Sequence, residues 1–308
     1  WNSGAQTWMV TLLKDVSFVN SYIFPAPSPT YSKNTFPKNL VWYPLDDQDP
    51  ASPLIPALLF LHPKATHFIV HCHGNAVDLG LMVQELQLYA ERWQCNLLAV
   101  EFPGYGACPG RPSESSINAA TDAAIQFLTR QLRVDPSRLI LMGRSIGTGP
   151  VARAAAKSCR TGAPVGALVL HSPFLSVKQC AKDLVGNLAS VLSQRFDNLE
   201  EIVQVTAPVA IIHGKLDQVI PWRHAQELFD KCPAGKKSLV LPSNSDHDIF
   251  DFETDILRPL LEFFCFNLPA YADPAAVIQI PREIIESALR PSQPDEDSDN
   301  WLAGLLCI

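Results

Sequence analysis

Ser145 stands at the centre of Gly143-Arg144-Ser145-Ile146-Gly147, directly after the apolar run Leu139-Ile140-Leu141-Met142. A serine hydroxyl attacks a carbonyl only when a base takes its proton, and a sharp turn at a strand end thrusts it clear of the backbone. Flanking glycines serve that turn, because larger side chains at 143 or 147 would crowd it. The pentapeptide alone is equally compatible with a structural turn, so its meaning depends on the rest of the chain. In enzymes with such an elbow an acid and then a histidine come later in the chain, each on a loop after its own strand. Pro208-Val209-Ala210-Ile211-Ile212 reads as a buried strand, and His213-Gly214-Lys215-Leu216-Asp217 as its exit, which puts the Asp217 carboxylate at the sheet edge. Ser238-Leu239-Val240-Leu241 reads as the next strand, with Ser243-Asn244-Ser245-Asp246-His247-Asp248 as its loop. Only His224 and His247 come after Asp217, and His224 falls inside a helix expected from about Pro221. His247 is therefore the expected base.

A fourth signal lies upstream. Phe68-Ile69-Val70 leads into His71-Cys72-His73-Gly74-Asn75-Ala76. Backbone N–H groups at such a strand end can face a tetrahedral oxyanion together with the N–H of the residue after the nucleophile. Asn75 and Ile146 are the expected oxyanion donors. Taken singly, Asp217 is a turn former, His247 a surface histidine and His73-Gly74 a tight turn; in the right order, each after its own strand, they point to nucleophilic acyl transfer.

The elements that must position these residues follow from periodicity. Strands are expected near 58–61, 66–72, 95–102, 137–142, 166–171, 208–213 and 237–241, and helices near 76–93, 114–132, 147–159, 222–231 and 251–266. Strands alternating with helices imply an α/β architecture with a mostly parallel, doubly wound sheet, and the order of serine elbow, acid and histidine makes the α/β-hydrolase fold, with a short cap segment, the expected one. Ser113 followed by Glu114, with Ile117, Ala120, Ala124 and Leu128 on one face, marks the second helix. The helix after Ser145 carries Gly147, Thr148, Gly149 and Pro150 in its first turn, where proline is tolerated and small residues permit close packing. Its positive end faces the oxyanion.

A chain of 308 residues with 47% hydrophobic content can bury one large core. Residues 1–56 read as a proline-rich arm packed on or extending from the domain, since eight of the 26 prolines fall between Pro25 and Pro56. Residues 57–267 are the expected hydrolase domain, with a cap at about 173–207, and 268–308 a carboxyl extension. The first 24 residues carry only Lys14 and Asp15 as charges among Trp8, Met9, Val10, Leu12, Leu13, Val16 and Phe18, as a core strap or a membrane-contacting helix would. The chain begins at Trp rather than Met, consistent with a missing upstream segment. A net charge of −7 without a Lys/Arg cluster argues against nucleic acid as a partner. No apolar stretch reaches 18 residues, so no spanning helix is expected. The eight cysteines are scattered without a C-x-x-C pair, the usage of reduced thiols in a cytoplasmic protein.

Within the cap, Phe174, Leu175, Leu184 and Leu188 have two readings, the wall of an acyl-binding groove or the buried face of a cap helix. Further along, Pro294-Asp295-Glu296-Asp297-Ser298-Asp299 reads as a solvated acidic linker and 301–308 as an apolar end.

His73-Gly74-Asn75-Ala76-Val77-Asp78-Leu79-Gly80, Pro103-Gly104-Tyr105-Gly106, Ser145-Ile146-Gly147-Thr148, His171-Ser172-Pro173 and the arm segment from Phe24 to Ser32 together resemble the α/β-hydrolase domain-containing protein 17 family, whose members are protein depalmitoylases. The resemblance covers roughly 24–266, and the string from His73 to Gly80 is its specific part. It implies a thioesterase, peripheral on the cytoplasmic face of membranes, that removes S-linked palmitate from membrane-associated proteins. It implies Ser145, Asp217 and His247 as the triad, and no metal and no cofactor. Partners are then S-acylated proteins or lipid esters, with peripheral membrane contact through the amino-terminal arm. Two departures stand out. The family usually has Gly before its histidine where this chain has Asp246, with Asp248 following the histidine, and an adjacent carboxylate can raise a histidine's pKa or compete for its ring N–H. The family's cysteine-rich, lipid-anchored amino terminus is not found in 1–23.

A thiolate leaves far more readily than an amine, so this triad suits ester or thioester cleavage better than peptide cleavage. The alternatives are a lipid or small-ester carboxylesterase with the same triad, a peptidase, and a silent hydrolase-fold scaffold.

Overall fold

Strands come first in the computed structural model of the protein, which describes residues 20, 23–186, 189 and 192–289. They are β1 (Leu40–Pro44), β2 (Leu54–Phe60), β3 (Phe68–Cys72), β4 (Asn96–Val100), β5 (Leu139–Arg144), β6 (Ala167–His171), β7 (Val209–Ile212) and β8 (Lys237–Val240). They form one eight-stranded sheet in the order β1-β2-β4-β3-β5-β6-β7-β8. The β1–β2 and β2–β4 pairs are antiparallel and the remaining pairs parallel. Strands β3, β4, β6 and β7 are buried along their whole length, and β5 as far as Gly143. A strand covered on both faces has no solvent side to mark with polar residues, which is why these segments read as unbroken apolar runs.

The helices that cover the sheet are α1 (Leu79–Arg92), α2 (Glu114–Gln126), α3 (Thr148–Arg160), α4 (Val177–Val185), α5 (Asn198–Ile202), α6 (Arg223–Lys231), α7 (Arg258–Asn267) and α8 (Arg282–Ala288). The two-residue period of the strands divides the core in two. On one face Val70, Leu98, Leu141, Leu168 and Ile211 meet Ile117 and Ala124 of α2, Val151 and Ala155 of α3, and Leu228 of α6. On the other, Ile69, Leu97, Ile140, Val169 and Ile212 meet Leu79 and Leu86 of α1 and Leu260 and Phe264 of α7. The expected α/β-hydrolase architecture, a mostly parallel sheet with helices on both sides, is the architecture observed. The face expected of α2 is its buried face, and a reciprocal capping box between Ser113 and Ser116 starts the helix.

The sheet begins earlier than the boundary drawn at 57. Leu40–Pro44, inside the proline-rich stretch, pairs along Leu54–Leu58, and Pro44 is tolerated because it ends an edge strand. The segment after 268 also packs back on the domain: the Tyr271 hydroxyl donates to the Trp93 carbonyl, the Ile278 N–H bonds to the Ala65 carbonyl at 2.9 Å, and Ile284 and Ile285 of α8 lie against the core. Pattern reading missed these elements because each is short, and β1 lies inside a proline-rich stretch. Among the described residues no helix is long and apolar enough to cross a membrane, and the seven cysteines are free. The apolar segment before residue 20, Leu188, the acidic run 294–299 and the end 301–308 lie outside the described residues.

Candidate active site

Strand β5 ends at Arg144, the chain turns through Ser145–Gly147, and α3 begins at Thr148. Ser145 has a φ of 51°, a left-handed conformation that a residue with a side chain adopts only where its surroundings hold it there. The two glycines make the turn possible. A Cβ on Gly143 would run into the Gly147 carbonyl, and one on Gly147 into the carbonyls of Cys72 and His73 at the end of β3. The cap adds a brace: the Asn198 amide donates to Thr148 Oγ1 at 3.0 Å, and that hydroxyl donates to the Ser145 carbonyl at 2.7 Å.

The chain brings together three residues that are far apart in sequence. His247 Nδ1 lies 2.7 Å from Asp217 Oδ2, and His247 Nε2 lies 3.2 Å from Ser145 Oγ. A carboxylate only accepts, so Nδ1 carries the hydrogen and Nε2 is left to accept the serine proton. Asp217 Oδ1 receives the N–H groups of Val219 and Ile220, each at 2.8 Å, and Oδ2 also receives His213 Nε2–H at 3.0 Å. Burial by itself would raise the carboxyl's pKa. The hydrogen bonds from His213, His247 and the Ile220 N–H, with the charge of His247, outweigh it and hold Asp217 well below the usual carboxylate range.

Backbone contacts tie the loops of Asp217 and His247 together: the Leu216 N–H bonds to the Ser245 carbonyl and the Lys215 N–H to the Pro242 carbonyl, each at 2.9 Å. Arg144 pins the base loop from the elbow side, donating at 3.0 Å to both the His247 carbonyl and Asp248 Oδ1. The two carboxylates beside the histidine are thus engaged elsewhere. Asp246 accepts the N–H groups of Asp248 and Ile249, which lower its pKa, and Asp248 pairs with Arg144, so neither takes the ring N–H from Asp217.

Turn 73–75 packs against the elbow, with a Cβ built on Gly74 lying 3.8 Å from the Ser145 Cβ. The side chain of Asn75 is occupied, its amide donating to the Ile23 carbonyl at 2.7 Å and its oxygen accepting the Tyr105 hydroxyl at 3.0 Å. Ile146 is in the first turn after the elbow, where N–H groups lack partners within the helix. The groove residues do not assemble as one wall. Phe174 and Leu175 are buried in the core, the first held through its carbonyl by Asn198 and the second through its N–H by His224, whereas Leu184 of α4 is exposed.

Sequence reasoning gave no role to His213, Arg144 or Glu101. His213 and Glu101 each end or succeed an apolar strand as a lone polar residue, and Arg144 fills the variable position of the elbow, so their placement at strand ends was the available signal. His171, at the end of β6, is buried with both ring nitrogens unpartnered and Phe250 edge-on at 4.5 Å. Burial, then the Arg144 charge, drives its pKa well below the usual histidine value.

No protein-family model matches the chain. Over 208 residues it is 33% identical to Alpha/beta hydrolase domain-containing protein 17C of Homo sapiens, covering 67% of this chain and 60% of that protein. It is likewise 33% identical over 187 residues to Alpha/beta hydrolase domain-containing protein 17B of Xenopus laevis, covering 61% and 62%. The chain thus spans about three fifths of the length of these curated relatives. The resemblance drawn from the motifs is borne out. Among solved structures, an esterase of Pyrococcus furiosus matches with a TM-score of 0.61 at 15% identity, covering 79% of this chain and 98% of that one. A monoacylglycerol lipase of Paleococcus ferrophilus matches at a TM-score of 0.54 and 21% identity, covering 69% and 99%. At such identities the likeness is one of fold.

Proposed function

The chain is a homologue of the α/β-hydrolase domain-containing protein 17 proteins with the α/β-hydrolase fold, and on that premise we propose that it is a serine hydrolase that cleaves acyl thioesters, removing S-palmitoyl groups from membrane-associated proteins. The observation that carries the reading is the hydrogen-bonded chain from Ser145 Oγ through the His247 ring to the Asp217 carboxylate.

In the proposed reaction His247 Nε2 takes the Ser145 proton as Oγ bonds to the thioester carbonyl carbon. The backbone N–H groups of Ile146 and Asn75 hold the oxyanion, each donor contributing roughly 3 kcal/mol. As the carbon–sulfur bond breaks, the protonated ring returns its proton to the departing thiolate. Water, deprotonated by the same ring, then attacks the acyl-serine and releases the fatty acid and the free hydroxyl. Asp217 stays ionised throughout and stabilises the imidazolium.

Leu184, Leu216, Val219 and Ile249 are exposed on α4 and on the loops that carry Asp217 and His247. Exposed apolar side chains within two residues of Asp217 and His247, as Leu216, Val219 and Ile249 are, suit an acyl chain or the membrane that presents it. Two measurements test the reading. Replacing Ser145 by Ala is expected to abolish labelling by a fluorophosphonate probe, and labelling that persists removes Ser145 from the role. Across a panel of thioesters and oxyesters of graded length, kcat/KM is expected to be highest for long-chain thioesters; a preference for short oxyesters overturns the depalmitoylase reading and leaves a carboxylesterase.

A further inference from the structure

Behind the oxyanion turn lies a carboxyl that the proposed reaction does not use. Glu101 comes directly after β4, is fully buried, and receives four donors: His73 Nε2 at 2.9 Å, the Tyr31 hydroxyl at 3.0 Å, the Leu79 N–H at 3.0 Å and the Phe102 N–H at 3.1 Å. A carboxylate offers about four acceptor sites, and here all are filled by protein. The His73 ring is also fully buried, with Phe102 at 4.0 Å and Tyr105 at 5.5 Å between ring centres. Its Nδ1 lies 2.8 Å from the Gly74 carbonyl and its Nε2 2.9 Å from Glu101 Oε1, so both ring nitrogens are engaged. The loop after β4 is shaped around this group: Gly106, at a φ of 48°, leaves no room for a Cβ beside Glu101 and Tyr31.

We propose that Glu101 and His73 act as a positioning pair that sets turn 73–75 against Ser145, and that Tyr31 couples the amino-terminal arm to that setting. The inference rests on reading Ser145 as the nucleophile. His73, itself the first residue of the turn, is tied to Glu101 through Nε2 and to the Gly74 carbonyl through Nδ1, and a Cβ placed on Gly74 would lie in ordinary van der Waals contact with the Ser145 Cβ. The next residue, Asn75, is held from either side by Tyr105 and by the arm carbonyl of Ile23. A buried pair of this kind is weak as a source of stability, because apolar residues of the same volume fill such space as well. What apolar residues cannot supply is direction. The pair fixes where the peptide between Gly74 and Asn75 points, and an oxyanion donor works only when it is already aimed.

The test compares the parent chain with Glu101→Gln and Tyr31→Phe, with turnover counted per fluorophosphonate-titrated site so that unfolded protein drops out. Glu101→Gln is expected to lower kcat per site at least about tenfold with KM within about threefold, and to weaken inhibition by an alkyl trifluoromethyl ketone in parallel, since that adduct carries the oxyanion. Tyr31→Phe is expected to give the same split at about threefold. Unchanged kcat per site in Glu101→Gln overturns the proposal. If that variant yields no titratable sites, Tyr31→Phe decides alone, and parent-like turnover overturns it. A parent chain that neither labels nor turns over removes the hydrolase reading and this one with it.

Discussion

At the residue scale, Asp217 does more than accept one proton-bearing ring. With four donors converging on it, two backbone N–H groups fix the carboxylate and two histidines share its remaining lone pairs. Its charged form is the one the fold stabilises, so that contribution is complete above the ordinary carboxylate value of about 3.9 and is lost as pH falls below it. Asp217→Asn presents an amide where His247 needs an acceptor and favours the wrong tautomer. A fall in kcat of about 10³- to 10⁴-fold is expected, with the Ser145–His247 separation little changed, and steady-state kinetics on an acyl ester checks it. A loss below about tenfold would show that another carboxylate orients the ring. Arg144 belongs to the same scale: from the elbow it holds the backbone of His247 and pairs with Asp248, so that an acidic neighbour is drawn away from the His247 ring.

At the element scale, the elbow is an agreement among the strands β3 and β5 and the helix α3. Ser145 is presented by β5, but its left-handed backbone persists only because Gly147 lets α3 approach the end of β3. Gly147→Ala adds a methyl group against two backbone carbonyls, which cannot swing aside as a side chain could. The expected cost is about 1–3 kcal/mol of stability, read by urea denaturation, together with slower fluorophosphonate labelling of the folded fraction. A variant as stable and as fast as the parent would mean that the turn is looser than its contacts indicate. Gly143 faces the same crowding from the Gly147 carbonyl, so the two glycines of the pentapeptide serve one close approach.

At the scale of the whole molecule, acid weakens the fold through its interior histidines. His67, His71 and His171 are buried. Burial, then nearby positive charge from Arg138, pushes His67 down to about 4; burial, then His73 and Arg144, pushes His71 down to about 3; and His171 lies well below the usual value. The folded chain refuses protons that the unfolded chain binds below about 6.5, so stability declines as pH drops from about 6.5 towards about 4. Near pH 5 the slope is expected to approach roughly 4 kcal/mol per pH unit. Urea melts at pH 7, 6 and 5 measure it, and His171→Phe, which keeps a ring against Phe250, is expected to flatten the slope by about a third. Equal slopes in both proteins would place the acid sensitivity elsewhere.

Everything legible from the chain alone had a local cause. The strands β3 to β7 were legible because burial on both faces demands unbroken apolar runs, and Ser145, Asp217 and His247 were legible because each comes after such a run at the same edge of the sheet. The motif string from His73 to Gly80 carried the family in the same way, since its glycines and polar residues answer to a turn that neighbouring residues define. The short edge strand β1, the cap helices and the packing of α8 were not legible, because a few apolar residues look alike in a strand, a helix or a loop until the surface they lie on is known. The same holds for the partners of polar groups. Nothing local in the sequence links Tyr31 to Glu101 across 70 positions, or brings His213 and His247 to one carboxylate. Hydrogen bonds of that length in sequence are chosen by the chain's return path through the sheet, so the sequence determined which residues could do chemistry, and tertiary structure decided which of them meet.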